Sequence, residues 1–253
     1  MELVKVVFLR HGESEWNKLN LFCGWHDVDL SEKGKSDAST ISAATLQQHD
    51  LKFDIAFTSA LKRAHQSLEI VLNALECSKI PIHSTWRLNE RHYGDLTGLN
   101  KRQMAEKYGE KKVQIWRRSF NVPPPVMDAS CPYYEPIRNN PKFVDIPAEE
   151  FPDTETLESV MHRVVPYWES EITKEIKNRK RVLVLAHGTI IRAIVKHIEG
   201  ISDEKISTIN IPNSIPCVYN FDISTMKPVG PMEFLAEESY LQDQLRKTAS
   251  IGN

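Results

Sequence analysis

Two short apolar runs, each ending in a His-Gly pair, constrain this chain of 253 residues more than any other feature. Leu3-Val4-Lys5-Val6-Val7-Phe8-Leu9 leads into Arg10-His11-Gly12, and Val182-Leu183-Val184-Leu185-Ala186 leads into His187-Gly188. Runs this apolar and β-branched, without a polar alternate face, predict strands buried on both sides, as in a parallel sheet covered by helices. The intervening pattern alternates in kind. Helices are expected over residues 31–48, with Ser31 as N-cap, and over about 60–76, with Ser59 able to cap. Further helices are expected over 100–108, where Asn100 and Gln103 resemble a capping box, over 113–118, over 154–178 with a kink at Pro166, and over 190–199, stopped by Gly200. Strands are expected over 53–58, near 80–83 and over 217–222. Strands alternating with helices predict an α/β fold, a three-layer sandwich around a mostly parallel sheet.

The chain reads as a single domain, residues 1–253, with two departures from the pattern. Eight of the 14 prolines fall within 121–152, which predicts a long irregular insertion because proline fixes φ and removes a backbone donor. Residues 236–253 read as a polar terminal helix with a flexible end. With 41% hydrophobic and 26% charged residues the composition is that of a globular protein, and a net charge of -2 excludes a general field for nucleic acid or anionic membrane. Cys23, Cys77, Cys131 and Cys217 lie far apart with no CxxC pair, which fits a reducing compartment. No apolar stretch approaches the roughly 20 residues of a membrane span. A cytoplasmic protein is expected.

In an open parallel sheet, ligands bind beyond the carboxyl ends of the strands, so both imidazoles should meet there. A lone His is more often a packed or solvated residue, the reading given to His26, His49, His65, His83, His162 and His197. Glycine after each paired His is expected to allow close approach or a positive φ. Arg10, Arg63, Lys101, Arg117 and Arg118 lie near strand ends or in the middle region, and such cations point to a polyanion pocket, since guanidinium forks match phosphate and carboxylate oxygens. No HxH, HExxH, DxD, Walker, GxGxxG or GxSxG motif is present. Phosphoryl transfer stabilised by fixed positive charge, with His11 as nucleophile, fits these residues. Such transfer needs a proton-carrying carboxylate, for which Glu90 is the candidate and Glu13 its competitor; neighbouring phosphate charge should raise its pKa.

Leu9-Arg10-His11-Gly12-Glu13-Ser14 resembles the signature of the histidine phosphatase superfamily, and residues 4–234 resemble its cofactor-dependent phosphoglycerate mutases. The segments carrying this likeness are Phe57-Thr58-Ser59 with Lys62-Arg63-Ala64, 85–94 around Asn89-Glu90-Arg91-His92-Tyr93-Gly94, Leu96-Thr97-Gly98-Leu99-Asn100-Lys101, Ile115-Trp116-Arg117-Arg118-Ser119 and Pro123-Pro124-Pro125. The resemblance implies His11 as phosphorylated nucleophile, Glu90 as proton donor and acceptor, and His187 as the second imidazole. It places Arg10, Ser14, Asn17, Arg63, Gly188 and Thr189 around phosphate. Cys23, Gly24, Arg91, His92, Tyr93, Lys101, Arg117 and Arg118 would hold the rest of the substrate. It further implies interconversion of 3- and 2-phosphoglycerate in glycolysis and gluconeogenesis, priming by 2,3-bisphosphoglycerate, no metal, and a homodimer or homotetramer.

Two departures from the family pattern touch the site. Thr189-Ile190-Ile191 stands where the family usually has Asn-Ser-Leu, and Pro212-Asn213-Ser214 where it has Pro-Thr-Gly. A Thr hydroxyl gives one donor where an Asn amide gives two, which predicts weakened turnover. The competing readings are a bisphosphoglycerate mutase, a histidine-type phosphatase and a non-catalytic phosphate-binding protein. Ser14 stands against the first, whose members usually carry Gly there, whereas 100–104 and 229–231 lean toward it. A water-excluding insertion and tail favour mutase over phosphatase.

Overall fold

The computed structural model describes residues 2–251. Its sheet is built from β1 (Leu3–Arg10), β2 (Ile55–Ser59), β3 (Ile82–Thr85), β4 (Val182–Ala186), β5 (Pro216–Asp222) and the two-residue strands β6 (Lys227–Pro228) and β7 (Glu233–Phe234). The order is β3-β2-β4-β1-β5-β6, with β7 also paired to β5. β3, β2, β4 and β1 run parallel, and β5 is antiparallel to β1.

Successive side chains leave opposite faces of a strand, and here both faces are dry. Val4, Val6, Phe8, Val182 and Val184 pack with Leu157, Val160, Val164, Ile190 and Ile194 on one side. Val7, Leu9, Leu183 and Leu185 pack with Ala64, Leu68, Val71 and Leu72 on the other. The result is the expected three-layer sandwich. Each such buried Val or Leu contributes about 1.5–3 kcal/mol relative to exposure.

Local chemistry sets most element ends. The Ser31 hydroxyl accepts from Gly34 N at the start of Glu32–Asp37, which continues through a π stretch, Ala38–Ala43, into Ala44–Gln48. Asn100 accepts from the amides of Arg102 and Gln103 and so opens the helix Lys101–Tyr108, which Gly109 ends at φ +88°. The helix Leu157–Tyr167 contains Pro166, which lacks an N–H for the ladder, and passes into a π stretch, Trp168–Ile172, before Thr173–Lys177. The helix Gly188–Glu199 stops at Gly200, whose φ of +63° is left-handed.

Two expectations are corrected. Ser59 is not the N-cap of Lys62–Ala74, which is Leu61 without a side-chain bond: the Ser59 hydroxyl lies too early in the chain, accepting from Leu61 N rather than from an amide of the first turn, and meets His187 Nε2. The proline-rich insertion is not irregular throughout. It holds a helix, Tyr134–Arg138, and buries Met127, Cys131, Ile137, Phe143 and Ile146 with Trp25 and Leu61, since prolines bar ladder bonds without barring apolar packing. The expected polar terminal helix is present as Glu238–Ala249, and Ile251 after it is buried; residues 252 and 253, part of the expected flexible end, lie outside the described residues.

Candidate active site

Adjacent parallel strands in register deliver the two histidines to one place. Leu9 pairs with Leu185 and Arg10 with Ala186, so the next residues of β1 and β4 emerge side by side. His11 N donates to Ala186 O at 3.0 Å, and the two rings lie 4.9 Å apart at 63°.

Their hydrogen bonds differ. His11 Nδ1 lies 2.6 Å from Gly12 O, and a carbonyl only accepts, so Nδ1 carries the proton and Nε2 is left bare. Burial, then the Arg63 and Arg10 charges, hold the pKa of His11 well below the ordinary imidazole value and keep the ring neutral. His187 Nε2 lies 2.7 Å from Ser59 Oγ, which itself accepts from Leu61 N. Its Nδ1 is buried without a partner among the described residues. Burial, then Arg63 and His11, likewise hold His187 far down.

The His11 ring, with His187 buried beside it, opens onto a cleft lined by Arg10, Arg63, Lys101, Arg117, Arg118 and Arg192, against Glu90 as its one lining carboxylate among the described residues. The guanidinium groups are held by neutral carbonyls. Arg10 donates to Ile211 O, Arg63 to Gly24 O and His26 O, Arg118 to Thr248 O, and Arg192 to Ile206 O and Arg118 O. Carbonyls fix direction without cancelling charge. Burial, followed by the charges of Arg117 and Arg10, outweighs the nearby Cys23 thiol and pushes Lys101 down to about 8. Burial also depresses Arg10, Arg117, Arg118 and Arg192. Guanidinium does not deprotonate in proteins, so this crowding is charge that an anion relieves.

Glu90 Oε1 accepts from Arg91 N at 2.7 Å, and Oε2 lies 3.5 Å from Thr189 N at the start of the 188–199 helix. The competitor Glu13 lies outside this cleft and accepts from Ser31 Oγ. Asn17, Cys23, Gly24, Tyr93, Gly188 and Thr189 line the cleft as expected.

Three expected binding residues stand behind the lining instead. Ser14 caps a short helix, Arg91 is buried and donates to Tyr93 Oη and Arg117 O, and His92 packs on Trp25 while its Nδ1 accepts from Gly94 N. Burial lowers His92 to about 4. Of the two roles expected for the glycines a positive φ is excluded, since neither has one, while Gly188 lines the cleft. A Cβ on Gly12 would meet Gly34 O at 2.4 Å, so its role is backbone packing, and one on Gly188 would meet the Arg10 guanidinium at 3.4 Å.

Sequence reasoning passed over Leu21, Phe22, Arg192, Ile211 and Thr248 in the lining, and Ser59 behind it. Arg192 was readable, since it stands four residues after Gly188 on one helix face. Ile211 and Thr248 carry no local signal. Among the described residues no group of three or more His, Cys, Asp or Glu could hold a metal ion.

A family model for the histidine phosphatase superfamily (branch 1) matches residues 6–135 and 133–228. The chain belongs to that superfamily. Two curated superfamily relatives, from Borreliella burgdorferi strains ZS7 and B31, are 47% identical over 252 residues, covering 99% of each chain, and are named 2,3-bisphosphoglycerate-dependent phosphoglycerate mutase. Among solved structures, a phosphoglycerate mutase from Bacillus anthracis superposes with TM-score 0.67 at 20% identity over 96% of this chain and 97% of that one. A mycobacterial glucosyl-3-phosphoglycerate phosphatase gives 0.65 at 19% over 91% and 97%. At such identities the structures speak for the superfamily fold alone.

Proposed function

We infer that this chain is an enzyme that interconverts 3-phosphoglycerate and 2-phosphoglycerate by passing a phosphoryl group through His11. The observation that carries the reading is the bare Nε2 of a neutral His11 beside His187, at a cleft that six cations and one carboxylate line among the described residues. The full-length likeness to curated mutases supports the substrate.

In this reading a bound 2,3-bisphosphoglycerate supplies the priming phosphoryl group, and the excess positive charge of the cleft fits such a polyanion. His11 Nε2 forms the N–P bond as the P–O bond breaks, and Glu90 gives its proton to the leaving oxygen. On return, Glu90 takes the proton of the accepting hydroxyl while the N–P bond breaks. His187, Arg10, Arg63, Asn17 and the amides of Gly188 and Thr189 stabilise the phosphoryl oxygens. Lys101, Arg117, Arg118, Tyr93, Cys23 and Gly24 hold the remaining carboxylate and phosphate. Arg192 joins that group. No metal enters the scheme.

A single-domain cytoplasmic enzyme of glycolysis and gluconeogenesis, assembled as a homodimer or homotetramer, belongs to the same proposal. No helix among the described residues is long and apolar enough to cross a membrane. Light scattering tests the assembly. The function is tested by brief exposure to 2,3-bisphosphoglycerate followed by intact mass: one acid-labile phosphate is expected, and none would leave a binder. Conversion of 3-phosphoglycerate to 2-phosphoglycerate supports the mutase, whereas free phosphate alone would make the enzyme a phosphatase.

A further inference from the structure

Glu90 sits on a stretch of chain that belongs to no helix or strand: residues 89–93 follow a short 3-10 turn, Trp86–Leu88, and precede another, Gly94–Leu96. Such a segment has no ladder to hold its backbone polar groups, yet Leu88, Asn89, Arg91 and His92 are buried. Buried backbone groups need partners. Here several of them are met by one ion pair from a distant part of the chain.

Arg163, on the helix Leu157–Tyr167, and Glu155, two residues before that helix, are both nearly inaccessible and form a forked pair, Nε to Oε1 at 2.7 Å and Nη2 to Oε2 at 2.8 Å. The remaining donors of the fork turn to the loop. Arg163 Nη1 donates to Arg87 O at 2.7 Å and Nη2 to Glu90 O at 3.2 Å. Glu155 closes the other end, with Oε2 accepting from His92 N at 2.8 Å and its own N–H donating to His92 O at 2.9 Å. Neither residue lines the cleft. Three backbone groups between 87 and 92 are thus fixed by two side chains and a fourth by the backbone N–H of Glu155, and the carboxylate of Glu90 is aimed from between them. The guanidinium also lies over the Trp25 ring, 5.6 Å from its centroid, so the pair is seated against the apolar cluster of the insertion.

We propose that Glu155 and Arg163 are positioning residues for proton transfer by Glu90, holding its backbone so that the carboxylate meets the reacting oxygen. This rests on the assignment of Glu90 given above. A bidentate Arg–carboxylate pair specifies direction as well as distance, which a lysine cannot reproduce. Proton transfer and attack depend on placement to within about an ångström, and displacements of that size cost about 100-fold in rate. Loss of the fork therefore acts on the chemical step while the cationic binding groups stay in place.

The test is a double-mutant cycle on the purified full chain, with kcat and KM for mutase turnover and Tm for folding. Arg163→Lys is expected to lower kcat by about 10- to 100-fold and move KM by less than about threefold. Glu155→Gln, which keeps the side chain's shape, gives the same split and serves if Arg163→Lys fails to fold. Glu90→Gln also lowers kcat. In the Glu90→Gln background Arg163→Lys or Glu155→Gln then costs less than about twofold, because the group through which they act is already gone. A folded Arg163→Lys and a folded Glu155→Gln with unchanged kcat, or costs that multiply in full onto Glu90→Gln, overturn the positioning role and leave Glu90 standing. An unchanged kcat in Glu90→Gln removes Glu90 from the reaction and this proposal with it.

Discussion

His11 and His187 leave neighbouring strands at the same level, in the same local motif, and become different chemical groups. His11 is tied to the carbonyl of the next residue in its own chain, which leaves Nε2 bare. His187 is tied by Nε2 to Ser59, at the end of β2. The Ser59 hydroxyl already accepts from Leu61 N, and its own proton has only His187 Nε2 to go to among the described residues. With the Ser59 hydroxyl donating to Nε2, the ring proton of His187 sits on Nδ1, the buried atom without another partner among the described residues. One ring offers a lone pair and the other a proton, as nucleophile and phosphoryl stabiliser require. The motif placed two imidazoles; their partners divided the labour.

That division can be broken in order of effect. His11→Ala should abolish labelling by 2,3-bisphosphoglycerate and turnover together, whereas His187→Ala should still be labelled, about 10²- to 10³-fold more slowly, as for loss of one transition-state donor. Equal loss in both variants would erase the distinction. Ser59→Ala should lower kcat by about 10- to 100-fold, the scale of losing a group that fixes a ring's tautomer, and shift the ¹⁵N resonances of His187 while leaving those of His11. No side-chain variant does the same to His11, whose partner is backbone.

Smaller effects sharpen the contrast between the two turns. Thr189→Asn, after the second His-Gly, should raise turnover about tenfold if the added donor reaches phosphate, at roughly 1.5 kcal/mol for a bond to a charged group. An unchanged kcat would show that Thr189 costs this enzyme nothing. Both rings titrate far below the unfolded value, so below pH of about 6.5 the unfolded chain binds protons that the native state does not. Stability is then full above that pH and lost below it, by up to ~1.4 kcal/mol per pH unit for each ring, and urea titrations of His11→Ala and His187→Ala should show a shallower fall. Ser214, whose amide donates to Arg10 O beside the first turn, holds φ +61°. Ser214→Gly should add about 1 kcal/mol in the same titration, since Gly has no Cβ to strain there.

The sheet was legible because its strands are buried on both faces, and uninterrupted Val and Leu runs admit few other folds. Ser31, Asn100, Gly109 and Gly200 marked helix ends because a cap is a contact between near neighbours in sequence. Glu90 was found in the same way, within a dense local cluster of polar residues. What failed was of another kind. Ser59 has the makings of a cap, and only the position of β4 makes it a partner for His187. His92 resembles a ligand-binding residue in sequence and is a buried support in space, because Trp25 covers it.

From its own residues the chain specified a covered parallel sheet, two histidines at one edge and an excess of cations near them, all properties of local pattern and residue chemistry. Tertiary structure alone decided that Ser59 meets His187, that Glu90 faces the cleft and Glu13 does not, and that Thr248, far along the chain, meets Arg118. The reason is physical: burial and strand propensity are summed over neighbours in sequence, whereas a proton's location depends on the single atom opposite it, and that atom arrives from anywhere in the chain.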